Sequence, residues 1–240
     1  TVSNFSPDIV AISVLFSNLL ESAHNIARIV KKVKKDTTVI LGGNHISSAV
    51  SDYKIAKISK NSGLPTIIND LEDKNFDLAM TGEGEFSFLE LVNKLANKED
   101  ISKVPGLVKK IGQEEYLINP STRVHDLNLL PRPARHLVDM EAYFKIGAFH
   151  SAKSRSKRVL SVMCSRGCPE KCTFCSTPQM WGNNTRWRST EHIMSEIGND
   201  VKDFKIGEIQ FDDDTITVNK KNLYSLCEEL QKLGLPWCTP

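Results

Sequence analysis

Short apolar runs alternating with stretches of helical periodicity constrain this chain more than any other feature. Asp8 to Leu15 reads Asp-Ile-Val-Ala-Ile-Ser-Val-Leu, a buried strand. After it apolar residues return at Leu20, Ala23, Ile26, Ala27, Val30 and Val33, the spacing of one helix face. Thr37 to Leu41 is a second buried strand, closed by Gly42-Gly43. Asp77 to Met80 is a third, turning through Gly82-Glu83-Gly84-Glu85 into a helix with Phe86, Leu89, Leu91, Val92 and Leu95. Strands joined through helices pair in parallel by right-handed crossovers, so an α/β fold is predicted.

Pro105 to Asn119 then reads as a hairpin turning across Ile111-Gly112-Gln113. Leu130-Pro131-Arg132-Pro133 reads as a stiff linker, because its prolines forbid a regular helix. A second α/β series begins at Arg158 with the strand Val159 to Met163. A helix capped by Ser189 or Thr190 carries Ile193, Ile197, Val201 and Phe204, and the strand Ile206 to Phe211 ends in Asp212-Asp213-Asp214. A helix with Leu223, Leu226, Cys227, Leu230 and Leu233 stops at Gly234, and Trp237-Cys238 opens another strand. The predicted organisation is a first domain over residues 1–99, a hairpin and linker over 100–157, and a second domain over 158–240. Thr1 stands a few residues before a strand expected inside its sheet, and Pro240 falls within the second series, so both domains are expected to be incomplete.

Lys plus Arg number 31 against 29 Asp plus Glu, which gives no global electrostatic reason to bind nucleic acid or a membrane surface. The lysines between Lys31 and Lys35 are expected at a solvated helix end, where cations suit the dipole. No apolar run is long enough to span a bilayer and no signal peptide is visible, so a cytoplasmic location is expected. Of the 6 cysteines, Cys164, Cys168, Cys172 and Cys175 crowd into one run, a pattern of metal or redox chemistry in a reducing compartment rather than of a disulfide framework.

That run is Cys164-Ser-Arg-Gly-Cys-Pro-Glu-Lys-Cys-Thr-Phe-Cys175, directly after a strand. Thiolates at Cys168, Cys172 and Cys175, spaced C-x3-C-x2-C, suit an iron–sulfur cluster with one iron left open. Zinc, completed by Cys164 or a distant His, is the alternative that spacing leaves standing.

Gly167-Cys168-Pro169, Phe174 before the last cysteine of the motif, the preceding strand and the following βα series together resemble the radical S-adenosylmethionine (radical SAM) superfamily. The resemblance continues through Arg186-Trp187-Arg188-Ser189, Ile209-Gln210-Phe211-Asp212-Asp213 and Trp237-Cys238. It implies that Cys168, Cys172 and Cys175 ligate a 4Fe-4S cluster whose open iron binds S-adenosylmethionine, and that Cys164 is a packing residue outside the motif. Phe174 is then expected near the adenine. One of Asp212, Asp213 and Asp214 is expected at the amine or ribose of S-adenosylmethionine, with a solvated strand end as the alternative. Arg188, with Arg186, is expected to face a carboxylate, with a surface salt bridge as the alternative for at least one of them.

The first series separately resembles the cobalamin-binding domain fused ahead of such barrels, through Ser13-Val14-Leu15, Gly42-Gly43 and Gly82-Glu83-Gly84-Glu85 at successive strand ends and the Leu130-Pro131-Arg132-Pro133-Ala134-Arg135 linker. The resemblance implies cobalamin contacts at Ser13, Leu15, Gly42 and Gly43, whose glycines permit close backbone approach. An ordinary turn at Gly42-Gly43, a backbone-satisfied hydroxyl at Ser13, and helix-start acids at Glu83 and Glu85 are the bland alternatives. The Asp-x-His-x-x-Gly signature of an axial cobalt ligand is absent: His24, His45, His125, His136, His150 and His192 all lack the Asp two residues before. His45 is expected to be a loop residue.

Together the resemblances imply a Rossmann-like cobalamin-binding domain followed by the first part of a partial (β/α)6 TIM-like barrel, in a cobalamin-dependent radical SAM methyltransferase. They imply cobalamin, the 4Fe-4S cluster and S-adenosylmethionine as cofactors, a small-molecule or natural-product substrate, and an electron donor such as flavodoxin or ferredoxin. Ring formation or rearrangement, or radical chemistry without cobalamin, are near alternatives, and a zinc or iron–sulfur binding module is the non-enzymatic one. No catalytic side chain is assigned, and the chain alone is expected to be inactive or nearly so.

Overall fold

A computed structural model describes residues 2–59, 71–112, 115–147 and 154–239; Gln113, at the expected hairpin turn, and His150 lie outside the described residues. The chain divides into two compact units, Thr1–Arg123 and Val124–Pro240.

After a one-turn helix α1 (Val2–Phe5), the first unit alternates β1 (Ile9–Ser13), α2 (Leu20–Val33), β2 (Thr38–Gly42), α3 (Asn44–Ser59), β3 (Leu78–Met80) and α4 (Gly84–Ala96). The hairpin β4 (Leu107–Gly112) and β5 (Glu115–Ile118) follows. The sheet order is β1-β2-β3-β4-β5, with β1, β2 and β3 parallel and β4 antiparallel to β3, so the hairpin extends the first sheet. β1, expected inside its sheet, stands at the edge among the described residues.

Alternation along β2 divides the core. Val39 and Leu41 pack with Ala23, Ala27 and Val30 of α2 and Ile46 and Val50 of α3, whereas Ile40 faces the other way with Leu78, Met80 and Leu91 of α4. Each fully buried Leu or Ile contributes roughly 1.5–3 kcal/mol. Lys31 is less solvated than expected, since its ammonium reaches Asp77 at 2.6 Å and the carbonyl of Thr37 at 2.8 Å.

The second unit carries α5 (Met140–Ile146), β6 (Val159–Val162), β7 (Ser165–Arg166), α6 (Thr177–Met180), β8 (Arg186–Trp187), α7 (Thr190–Phe204), β9 (Glu208–Phe211), α8 (Lys220–Leu233) and β10 (Trp237–Cys238). β10, β9 and β6 form a parallel sheet in that order. Leu160, Val162, Ile209 and Phe211 of the strands pack with Ile193 and Ile197 of α7, Leu226 and Leu230 of α8, and Phe144 of α5. Ser189 caps α7 by accepting the His192 N–H at 3.2 Å, and Gly234 ends α8 in the left-handed conformation at φ 70°.

α7 also buries charge. Asp200, 0% exposed, accepts from Arg132 and Arg135, and Arg135 Nη1 donates to Glu196 at 2.9 Å. The arginines of the proline segment, read from sequence as linker, therefore anchor that segment to α7.

Candidate cofactor-binding loops

In the second unit the chain leaves β6 and meets the end of β9 at once. The Asp212 N–H donates to the Val162 carbonyl at 2.9 Å. The Asp213 carboxylate, 4% exposed, accepts the Cys164 N–H at 3.0 Å and both the N–H and the hydroxyl of Ser165. Burial pushes the Asp213 carboxyl above the usual range, while these hydrogen bonds pull the other way. From the opposite side the Arg188 N–H donates to the Cys164 carbonyl at 2.9 Å, and its Nη1 to the Met163 carbonyl at 3.0 Å. Its Nε reaches His192 Nδ1 at 3.0 Å. Its Nη2 stands 2.6 Å from Glu196 Oε2, a charge contact that falls short of a hydrogen bond.

The root of the cysteine loop, Met163 to Ser165, is thus held by Asp213 on its N–H groups and by Arg188 on its carbonyls. Both side chains, expected at a cofactor, are engaged in these contacts inside the protein. Asp212 is half-buried and accepts from Gln210 Nε2 at 2.9 Å. Cys164 is fully buried, and burial together with the neighbouring Asp213 pushes its thiol far up, which suits a packing residue and not a ligand.

Past the root, β7 pairs antiparallel with β8, which brings the Arg186-Trp187 segment alongside the loop. Gly167 has φ +96°, and a Cβ there would lie 2.6 Å from the Asn184 carbonyl, so the close crossing requires glycine. The Arg166 guanidinium stacks 4.7 Å from the Trp181 ring centre, and Arg186 donates to the carbonyls of Val124 and Trp181. The Cys168 N–H donates to the Gly182 carbonyl at 3.3 Å, and a tight turn closes from the Cys175 N–H to the Cys172 carbonyl at 3.1 Å.

Two further contacts come from beyond β9. Thr177 Oγ1 donates to Asp214 at 2.9 Å, and Thr215 Oγ1 lies 3.3 Å from Cys168 Sγ. Thr215 was not legible as a site residue: nothing in the local sequence pairs it with a cysteine so far back in the chain.

Cys172 is exposed, Cys168 and Cys175 are half-buried, and none is in a disulfide. Phe174 is 91% exposed at the loop's outer side. Three free soft donors on one braced loop fit a thiolate-held iron–sulfur cluster. Among the described residues no three His, Cys, Asp or Glu side chains converge on a point that one metal ion would occupy. Beside the loop runs an open cleft of about 630 Å³, lined by Pro169, Asn184, Trp187 and Lys220 among others; the Trp187 Nε1 is buried without a hydrogen-bond partner.

In the first unit Ser13 ends β1 opposite Gly42, and Ser13 and Leu15 are both exposed. The Val14 N–H donates to the Gly42 carbonyl at 2.8 Å, and the His45 N–H to the Val14 carbonyl at 3.1 Å. Gly43 has φ +97°, and a Cβ on it would lie 2.5 Å from the Val14 carbonyl oxygen. Gly43 thus packs directly against the Val14 backbone. A Cβ on Gly42 would meet nothing nearer than the Met80 carbonyl at 3.6 Å. The Ser47 hydroxyl donates to the Gly43 carbonyl at 3.3 Å and accepts the Gly82 N–H at 3.2 Å, tying the end of β2 to the end of β3. His45 is not a free loop residue: it is 5% exposed, in the first turn of α3, with Nδ1 3.0 Å from Ser17 Oγ. Glu83 and Glu85 stand at the start of α4, where acids suit the helix dipole.

The fold is α/β with a parallel-rich sheet, as in cobalamin-dependent radical SAM enzymes. The structure of the radical S-adenosylmethionine methyltransferase TsrM from Kitasatospora setae, with cobalamin and a [4Fe-4S] cluster bound, matches with TM-score 0.63 and 14% identity over 95% of this chain and 41% of that one. No family model matches the chain. In sequence it is 28% identical over 260 residues to cytidylyl-2-hydroxyethylphosphonate methyltransferase of Streptomyces wedmorensis, covering 100% of this chain and 46% of that protein. It is 26% identical over 240 residues to the cobalamin-dependent radical SAM methyltransferase TokK of Streptomyces tokunonensis, covering 96% of this chain and 31% of that protein. The chain is thus similar in sequence to two methyltransferases, one of them a cobalamin-dependent radical SAM enzyme, and spans less than half the length of these curated relatives.

Proposed function

We propose that this chain is the cofactor-binding portion of a cobalamin-dependent radical SAM methyltransferase acting on a small-molecule or natural-product substrate. The observation that carries the reading is the cysteine loop, whose root is fixed by Asp213 and Arg188 while Cys168, Cys172 and Cys175 remain free thiols. When bound, the cluster supplies the electron that cleaves S-adenosylmethionine to a deoxyadenosyl radical, and cobalamin supplies the methyl group.

The chain's own contribution is placement. Cys168, Cys172 and Cys175 would hold three irons and leave the fourth for S-adenosylmethionine, with Phe174 at the adenine and the part-exposed Asp212 at the amine or ribose. Ser13, Leu15, Gly42 and Gly43 would meet cobalamin at the carboxyl ends of the parallel strands, where ligands of open α/β sheets sit. A flavodoxin or ferredoxin in a reducing cytoplasm would be the electron donor. The second unit would contribute the opening βα units of a partial barrel.

Anaerobic reconstitution with iron and sulfide tests the reading. About four irons and four sulfides per chain are expected, with an electron paramagnetic resonance signal that changes on adding S-adenosylmethionine, and retention of hydroxocobalamin through gel filtration. Tight zinc uptake without that spectral response would refute the radical assignment. Loss of hydroxocobalamin from the cluster-loaded chain would leave a radical SAM protein without cobalamin.

A further inference from the structure

We infer that Thr215 tunes the reduction potential of the cluster through a hydrogen bond from its hydroxyl to the sulfur of Cys168; this rests on the reading of Cys168, Cys172 and Cys175 as cluster ligands. Thr215 Oγ1 lies 3.3 Å from Cys168 Sγ and 2.6 Å from the Asp214 carbonyl oxygen. A hydroxyl has a single proton to give. While Cys168 is a free thiol, either group can be the donor in this contact, and the Thr215 hydroxyl has the Asp214 carbonyl as a second acceptor. A sulfur bonded to iron carries no proton, so the contact then runs only from the hydroxyl to the sulfur, and Thr215 turns away from the Asp214 carbonyl.

Both partners are held where this exchange needs them. The Cys168 N–H is bonded to the Gly182 carbonyl, and the residues before Thr215 are tied down through Asp213 to Cys164 and Ser165 and through Asp214 to Thr177. Reduction adds one electron from a low-potential donor to the oxidised 2+ cluster, giving the 1+ cluster with no bond made or broken. A donor aimed at a cluster sulfur favours the more negative, reduced form and raises the potential.

The test uses the whole chain and its Thr215→Val, Thr215→Ala and Thr215→Ser variants, reconstituted anaerobically. Iron and sulfide are counted first, and the potential is then read by dithionite titration followed by electron paramagnetic resonance. Valine and alanine variants are expected to keep the parent's iron content but titrate at a more negative potential, with serine restoring the parent value. Equal potentials in parent, valine and alanine variants overturn the inference while leaving the cluster assignment intact, as does a serine variant shifted as far as valine. Loss of iron from both valine and alanine variants also overturns it, by making the hydroxyl a folding requirement of the loop. A parent chain that assembles no four-iron cluster overturns the cysteine assignment, and this inference with it.

Discussion

One carboxylate oxygen of Asp213 accepts both the N–H and the hydroxyl of Ser165, across a chain separation of 48 residues. The end of β9 thereby sets where the loop after β6 begins, and every cysteine of the motif lies downstream of that fixed point.

Replacing the carboxylate is accordingly costly. Asp213→Ala leaves buried N–H groups of Cys164 and Ser165 without an acceptor, and a loss of about 2–3 kcal/mol is expected. Asp213→Asn turns an amide toward donors and is expected to recover little of it. Urea unfolding at neutral pH measures both; midpoints equal to the parent's would contradict the bracing role.

Two adjacent glycines separate by their neighbours. Gly43→Ala forces a Cβ against Val14 in a left-handed conformation, and a loss of at least about 1–2 kcal/mol is expected. Gly42→Ala meets only ordinary contact and should fall within about 1 kcal/mol of the parent. Thermal unfolding of the pair, followed by circular dichroism, checks the order.

The cysteines should differ in reactivity. In the reduced, cluster-free chain, brief alkylation is expected to modify exposed Cys172 and spare Cys164, whose thiol is buried and held protonated beside Asp213. Peptide mass spectrometry reads the sites, and labelling of Cys164 before unfolding would contradict its burial. After reconstitution, Cys164→Ala is expected to keep its iron, whereas Ala at Cys168, Cys172 or Cys175 is expected to lose it.

Acid should weaken the second unit through Glu208. Burial works to raise this carboxyl, but hydrogen bonds from the Ser154 hydroxyl and the Arg155 and Ser156 N–H groups outweigh it and hold it below the usual carboxylate value. The unfolded chain then binds the proton more readily. The stability Glu208 contributes is complete above the unfolded value and is lost as pH falls through the lower, folded one. Asp213, raised by burial, works with the opposite sign in its proton-linked part alone: that part is present below the unfolded value and lost as pH rises through the folded one, while the hydrogen bonds its carboxylate accepts remain. Unfolding midpoints from neutral pH into acid should fall less steeply in Glu208→Gln, and a slope identical to the parent's would refute the assignment.

The buried charges of α7 form a set in which Asp200 receives both Arg132 and Arg135. Asp200→Ala removes the buried acceptor that Arg132 and Arg135 share while leaving them Asp203 and Glu196, and is expected to cost about 1.5–3 kcal/mol. Chemical denaturation measures it; a change below about 1 kcal/mol would mean that water replaces the carboxylate without penalty.

Much of the fold was legible because β-strand and helix periods differ: the runs around Val39 and Ile209, and the helix faces at Ala23 and Ile193, announce their elements one by one. Partners distant in sequence did not announce themselves. Arg132 and Arg135 sit among prolines and read as linker, since nothing local reveals that α7 carries carboxylates waiting for them. Asp212 to Asp214 were placed at a strand end by pattern alone, but which of them turns inward depends on where the loop after β6 crosses. Cys168, Cys172 and Cys175 stand out in the sequence by spacing and neighbours, whereas the contact of Thr215 with Cys168 became visible only when β6 and β9 lay side by side.

Four consecutive residues after β9 face four different tasks: Asp212 toward Gln210, Asp213 under the loop root, Asp214 on Thr177 and Thr215 at Cys168. Such a run encodes its work in reading frame more than in composition. Deleting or inserting one residue there would leave the same side chains present yet hand each one its neighbour's position, so a change of length should disturb all four tasks where a substitution disturbs one.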